Sequence, residues 1–136
     1  FITPYWNSSM TRHIIQTDKA PAAIGPYSQA VRVGQTVYLS GQIPLLPDLG
    51  VLLEGGIEAQ THQVFRNLTA VCVAAGGSLS DIVRLGIYLT DLGDFAVVNA
   101  VMSEYMKAPF PARSTIQVSA LPRGAQVEID AVMILD

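Results

Sequence analysis

A chain of 136 residues, half of them apolar and 14% charged, is long enough to bury a core and too apolar to stay disordered. Its net charge of −3 and its scattered arginines give no basic footprint for nucleic acid, and no apolar run reaches the length of a membrane span. The charge content is low for a small monomer, so further copies of the chain are expected to cover part of the apolar surface.

The opening residues, Phe1 to Ser9, lack the basic start and long apolar core of a signal peptide. Met10 is expected to be the natural start, with residues 1–9 a non-native leader and 10–136 a single domain. Cys72 is the only cysteine, which rules out an internal disulfide. A reducing, cytoplasmic setting is expected, with the thiol packed inertly in the core. Two distant histidines and one buried thiol make no zinc ligand set, and no cofactor is expected.

Residues 12–17 alternate as a short strand. Ala20 to Tyr27, with Pro21, Gly25 and Pro26, cannot be helical and reads as an ordered loop. Residues 30–33 and 36–40 flank Gly34-Gln35 as the arms of a hairpin, and the second arm runs into Ser40-Gly41-Gln42-Ile43-Pro44. After a loop through residues 45–56, residues 57–75 give the strongest helix. Val64, Phe65, Leu68, Val71, Cys72 and Ala75 share one stripe at 3.6-residue spacing, and Gly76-Gly77 ends it. His62, Arg66 and Thr69 fall on the other side. His62 reads as a solvated helix residue, and His13, in the first strand, has no partner in view.

Residues 81–90 alternate as a strand. Asp94 is the expected N-cap of a second helix, with Phe95, Val98, Val101, Met102 and Tyr105 on its apolar stripe. Pro109 and Pro111 stop that helix. In the last quarter, two alternating runs, 114–119 and 125–135, flank Leu121-Pro122-Arg123-Gly124 in the pattern of a second hairpin. An antiparallel pair centred on that turn sets Arg113 roughly opposite Glu128, on one face of the sheet. Either the two neutralise each other, or they frame a site.

The order of elements gives an α+β layer: one mostly antiparallel or mixed sheet with both helices on one face. Residues 131–135 are apolar at every position, as in a strand buried on both sides. With helices on one face, the other is expected to meet the sheets of further copies.

Four segments carry a resemblance to the RidA family, also called YjgF: PARSTIQVSALPRGAQVEID (111–130), APAAIGPYSQAV (20–31), LSGQIP (39–44) and DLGDFAVVNAVMSEY (91–105). The similarity runs from about Met10 through the rest of the chain. It implies a Bacillus chorismate mutase-like fold, a mixed β-sheet with two helices packed on one face, in a trimeric barrel-like assembly with clefts between subunits. It also implies an activity, the hydrolysis of reactive 2-imino acids and their enamine tautomers to 2-oxo acids and ammonia. Matched by position, the family's carboxylate-binding arginine falls on Arg113 and its acidic site residue on Glu128. The tyrosine of its Gly-Pro-Tyr segment is Tyr27, its cleft-lining Ser-Gly-Gln turn is Ser40-Gly41-Gln42, and its helix-two asparagine is Asn99. Thr115 stands where many members have a cysteine, so any thiol role is absent. The connection from Asn99 to Arg113 also looks shorter than in some relatives, which would reshape one wall of the cleft.

The residue types fit that chemistry. Guanidinium binds a planar carboxylate through two parallel hydrogen bonds, so Arg113 suits a 2-imino acid. From composition alone, a structural ion pair with Glu128 is the simpler reading, and the resemblance reverses it. Glu128 suits the general base and acid that handles the attacking water, with a neighbouring arginine expected to lower its pKa. Asp130, of the same strand parity, is the second candidate acid and reads as solvated or as an interface contact. Tyr27 is set to aim a phenol into the cleft or to pack as an ordinary tyrosine. Ser40 and Gly41 end a strand where N–H groups can meet a ligand. Thr115 and Gln117 share the parity of Arg113, and Asn99 is a helix-surface residue or a structural hydrogen-bonder.

Two other classes stay open. A non-catalytic regulatory trimer that binds small carboxylic acids would keep Arg113 without needing Glu128. An endoribonuclease or translation inhibitor would need phosphate neutralisation, against which the acidic charge argues. Chorismate mutase chemistry would rest on fold alone.

Overall fold

In the computed structural model, which describes residues 11–136, the alternating segments become six strands. These are β1 (Arg12–Ile15), β2 (Ala30–Val33), β3 (Thr36–Gln42), β4 (Ile82–Leu89), β5 (Ala112–Gln117) and β6 (Val127–Ile134). Two helices, α1 (Ile57–Ala74) and α2 (Phe95–Tyr105), complete the layer. The expected leader and the start at Met10 lie outside the described residues. Strand order is β1-β2-β3-β6-β4-β5, antiparallel throughout except for the parallel β4–β5 pair. This is the expected mixed α+β sheet.

The stripe of α1 is buried from Val64 to Ala75 and forms the middle of the core. Gly76, at φ +96°, turns the chain in the left-handed region, and two bonds close the helix end: Gly77 N–H to Cys72 O at 2.9 Å and Gly76 N–H to Val73 O at 3.0 Å. His62 is not the free surface residue expected. Its Nδ1 lies 2.9 Å from the Tyr105 hydroxyl and its Nε2 3.9 Å from Glu104, so it ties α1 to α2. Phe65 stacks on the same tyrosine ring. Asp94 occupies the N-cap position of α2 but makes no side-chain cap bond. A short 3₁₀ turn precedes the helix, and Asp91 caps that turn instead by accepting from Gly93 N–H at 2.8 Å.

The final hairpin does not form. β4 lies between β5 and β6, paired in parallel with one and antiparallel with the other. The reason lies in composition and connectivity. Leu85, Ile87 and Leu89 are fully buried and claim an interior position, whereas β5 carries Arg113, Ser114 and Gln117 and suits a sheet edge. α2 acts as the crossover that a parallel neighbour requires.

The final strand keeps its alternation. Val127, Ile129, Ala131 and Met133 are buried against the helices, while Glu128, Asp130, Val132 and Ile134 face the other way. That second face is open in the single chain: Ile14 is 54% exposed, Tyr38 55% and Ile116 48%. Burial on both sides, expected from the apolar run, therefore does not occur within one chain.

Candidate active site

Two groups of site residues form, and they stand on opposite sides of the sheet. The first lines a cavity of about 550 Å³ where the end of β3, the loop before β2 and the 122–124 turn converge on Glu128. Gln29 holds that loop in shape. Its buried amide accepts from Thr17 N–H at 2.7 Å and donates to Thr17 O at 3.0 Å and Pro21 O at 2.8 Å. Gly25, at φ +115°, then turns the chain so that Tyr27 lines the cavity, with its hydroxyl accepting from Ile24 N–H at 3.4 Å. The Ser40 hydroxyl donates to Ser28 O at 2.5 Å and its N–H donates to Gln29 O at 3.0 Å. Both donors of Ser40 are thus engaged in fixing the loop.

Gly41 has a steric duty. The register of β3 against β6 slips between Leu39 and Gln42, as at a bulge, and this brings Gly41 against Glu128. A Cβ there would run into Glu128 Oε2 and come within 2.9 Å of Cδ. The half-buried Glu128 carboxyl is pushed above its ordinary value, first by burial and then by the Asp130 charge. This reverses the expected influence of a neighbouring arginine. Arg123 lines the same cavity, but its guanidinium donates to Gly50 O at 2.8 Å. Its backbone sits at φ +62°, in the left-handed region. Sequence reasoning took Arg123 only as part of a turn; a cation four residues before the strand that carries Glu128 was the available signal.

The second group gathers on the helix side of β5. Arg113 pairs with the buried Leu85, whereas Glu128 pairs with Tyr88 on the opposite face. The expected facing pair is therefore absent: β4 separates the two residues and the pleat points them apart. Arg113 donates from an Nη to Asn99 Oδ1 at 2.6 Å and lies 3.5 Å from Met102 Sδ. Its guanidinium also sits 5.2 Å from the centre of the Phe95 ring. Phe95, Asn99 and Met102 follow one another at i, i+4 and i+7, so one helix face presents all three. Asn99 and Met102, with Phe110, Pro111 and Arg113 itself, border a cleft of about 300 Å³. No carboxylate lies within ion-pair distance of Arg113 among the described residues, which removes the structural ion pair as an account of it.

Thr115 shares the side of Arg113, and its hydroxyl is buried without a hydrogen-bond partner among the described residues. Asn99, read from sequence as a surface or structural residue, is the group that fixes Arg113. Sequence reasoning missed Phe95 as its platform because the ring was assigned to the core stripe. No helix among the described residues is long and apolar enough to cross a membrane.

Residues 17–135 match the family described as Endoribonuclease L-PSP. Protein DfrA of Myxococcus xanthus is 54% identical over 127 residues, covering 92% of this chain and 97% of that protein. The 2-iminobutanoate/2-iminopropanoate deaminase of Homo sapiens is 46% identical over 127 residues, 93% of each. The crystal structure of RidA from an Antarctic Psychrobacter superposes with a TM-score of 0.88 at 54% identity, covering 90% of this chain and 99% of that one. With the match spanning nearly the whole described fold, this chain belongs to the Endoribonuclease L-PSP family, the RidA/YjgF family that its four segments resemble.

Proposed function

We propose that the protein hydrolyses small 2-imino acids, together with the enamines that tautomerise to them, to 2-oxo acids and ammonia. The observation that carries this reading is Arg113. Its guanidinium is held by an amide oxygen, a sulfur and an aromatic face, and among the described residues no carboxylate competes for it. It does so in a chain 46% identical to a human protein named as a 2-imino acid deaminase.

Arg113 binds the substrate carboxylate and Glu128 handles the water. Because the two point to opposite faces of one sheet, a cleft that uses both takes Arg113 from one copy and Glu128 from the next. A homotrimer with the open, apolar sheet faces turned inward would supply such clefts. The setting we assign is cytoplasmic, which suits a chain whose one thiol, Cys72, is buried with its pKa pushed up to about 12. Nucleic acid has no part in the proposal, since the net charge is −3.

The chemistry balances without a cofactor. Water oxygen bonds to the carbon of the N-protonated imine, the carbon–nitrogen π pair moves to nitrogen, and Glu128 takes the water proton. Glu128 then returns that proton to nitrogen. It next takes the hydroxyl proton of the adduct as the carbon–nitrogen bond breaks, leaving the 2-oxo acid and ammonia. The last proton leaves with ammonia as ammonium. Burial raises the Glu128 pKa and makes it a better base for the first step. Tyr27, in the same cavity, orients the water or substrate. Asn99 steadies Arg113, and the spare hydroxyl of Thr115 is available to the carboxylate beside it. Ser40 fixes the loop, and Gly41 gives Glu128 its room.

Glu128→Gln tests the reading. Gln keeps the shape and an acceptor oxygen but takes no proton at neutral pH. The variant is expected to fold, to assemble, to bind 2-oxo acids and to hydrolyse imine roughly 100-fold more slowly. The imine would be generated in place by an amino-acid oxidase and the survivor trapped. Parent protein that clears no imine above the spontaneous rate would leave a carboxylate-binding trimer in place of the enzyme. Gly41→Ala gives an independent check. Its Cβ displaces the Glu128 carboxylate, so turnover is expected to drop about tenfold or more while the melting curve barely moves.

A further inference from the structure

Glu128 does not stand alone on its face of the sheet. Side chains alternate along a strand, so Asp130 projects to the same side about 7 Å further on. Each carboxylate has a glycine in a neighbouring strand to receive it: Gly41 of β3 beside Glu128, and Gly86 of β4 directly opposite Asp130. A Cβ at Gly86 would collide with Asp130 Oδ1 and come within 2.9 Å of the Tyr88 hydroxyl. Tyr88 pairs with Glu128 across the β4–β6 ladder, yet its hydroxyl reaches diagonally and donates to Asp130 Oδ2 at 3.1 Å. Burial, and then the Asp130 charge, push the Tyr88 phenol upward, so it remains the donor. Asp130 is thus a clamped carboxylate in a space built for it, a detail beyond the solvated residue or interface contact that its sequence suggested.

The other groups facing this pair come from four places. β4 contributes Tyr88 and Arg84, whose guanidinium is engaged with Leu85 O at 2.8 Å and Ser114 Oγ at 3.4 Å. The 122–124 turn contributes Arg123, bonded to Gly50 O. The loop before β2 contributes Tyr27, and β3 contributes Tyr38 further along the same face. The charge that acts on Glu128 within the chain is therefore one of its own sign.

We propose that Asp130, clamped by the Tyr88 hydroxyl in the space that Gly86 leaves, is a positioning residue that fixes a second carboxylate on the face of Glu128 and tunes that group's exchange of protons with water and substrate. The inference rests on Glu128 as the acid–base group. A group that takes a proton from water and then hands it to nitrogen works best when its proton affinity approaches the working pH. Asp130 supplies that adjustment without touching substrate.

The test uses the assembled full chain with isotope-labelled glutamate and carboxyl NMR. The Glu128 signal is identified by its loss in Glu128→Gln. In Asp130→Asn, which keeps an acceptor for Tyr88, that signal is expected to titrate about one pH unit lower than in the parent. Asp130→Glu, which restores the charge, is expected to bring it back toward the parent. The acid limb of the kcat/KM profile should move with it. If Asp130→Asn does not fold, Tyr88→Phe decides. It frees Asp130 to swing away and is expected to shift the signal in the same direction by a smaller step. An unmoved Glu128 titration overturns the proposal. Its failure is distinct from failure of the site reading, which would show as Glu128→Gln retaining parent activity whatever the titration does.

Discussion

Tyr38→Asp is expected to yield a folded chain that no longer assembles and clears no imine above the spontaneous rate. Tyr38 sits in the middle of β3, between Val31 of β2 and Val132 of β6, on the face opposite the helices. In the single chain it is more than half exposed, so a carboxylate there costs the fold itself little. In an assembly that buries this face, every copy would carry an unpaired buried charge, a penalty of several kcal/mol each. Light scattering at micromolar concentration, with circular dichroism to confirm the fold, reads the outcome. Tyr38→Phe, which removes only the hydroxyl, should still assemble. A Tyr38→Asp protein with the mass of the parent assembly would show that the copies meet elsewhere.

Arg113→Lys is expected to lower kcat/KM by roughly 100-fold or more, although the charge is kept. An ammonium cannot reproduce the two parallel hydrogen bonds of guanidinium to a carboxylate, nor lie flat on the Phe95 ring while Asn99 holds one nitrogen. Calorimetry with pyruvate or 2-oxobutanoate separates binding from chemistry. If Arg113 anchors the carboxylate, affinity for these products falls with the rate. Unchanged affinity in the Lys variant would remove Arg113 from the site.

Legibility from sequence tracked how local each feature is. The buried stripe of α1 and its Gly76-Gly77 ending depend on spacings within one helix, and both were readable. The β2–β3 hairpin was readable because its turn lies between its strands. The place of β5 was not. Alternation identifies a strand without naming its neighbour, and here the neighbour is set by a helical crossover and by the more apolar β4 taking the interior. The misplacement carried through to chemistry. With β5 beside β6, Arg113 and Glu128 face each other; with β4 between, they face opposite ways. Gly41 and Gly86 were silent for a related reason, since the space that a glycine leaves has meaning only once its occupant, Glu128 or Asp130, is known.

The opposed orientation of Arg113 and Glu128 has a genetic consequence. Where clefts form between copies, each chain contributes an arginine to one cleft and a glutamate to another. A lesion at Arg113 and a lesion at Glu128, on separate alleles, then leave some mixed assemblies with one cleft built wholly from intact halves. The same two lesions on a single allele spoil both contributions of every chain that carries them. Inheritance at such a locus would depend on how mutations are distributed between alleles, as well as on which residues they change.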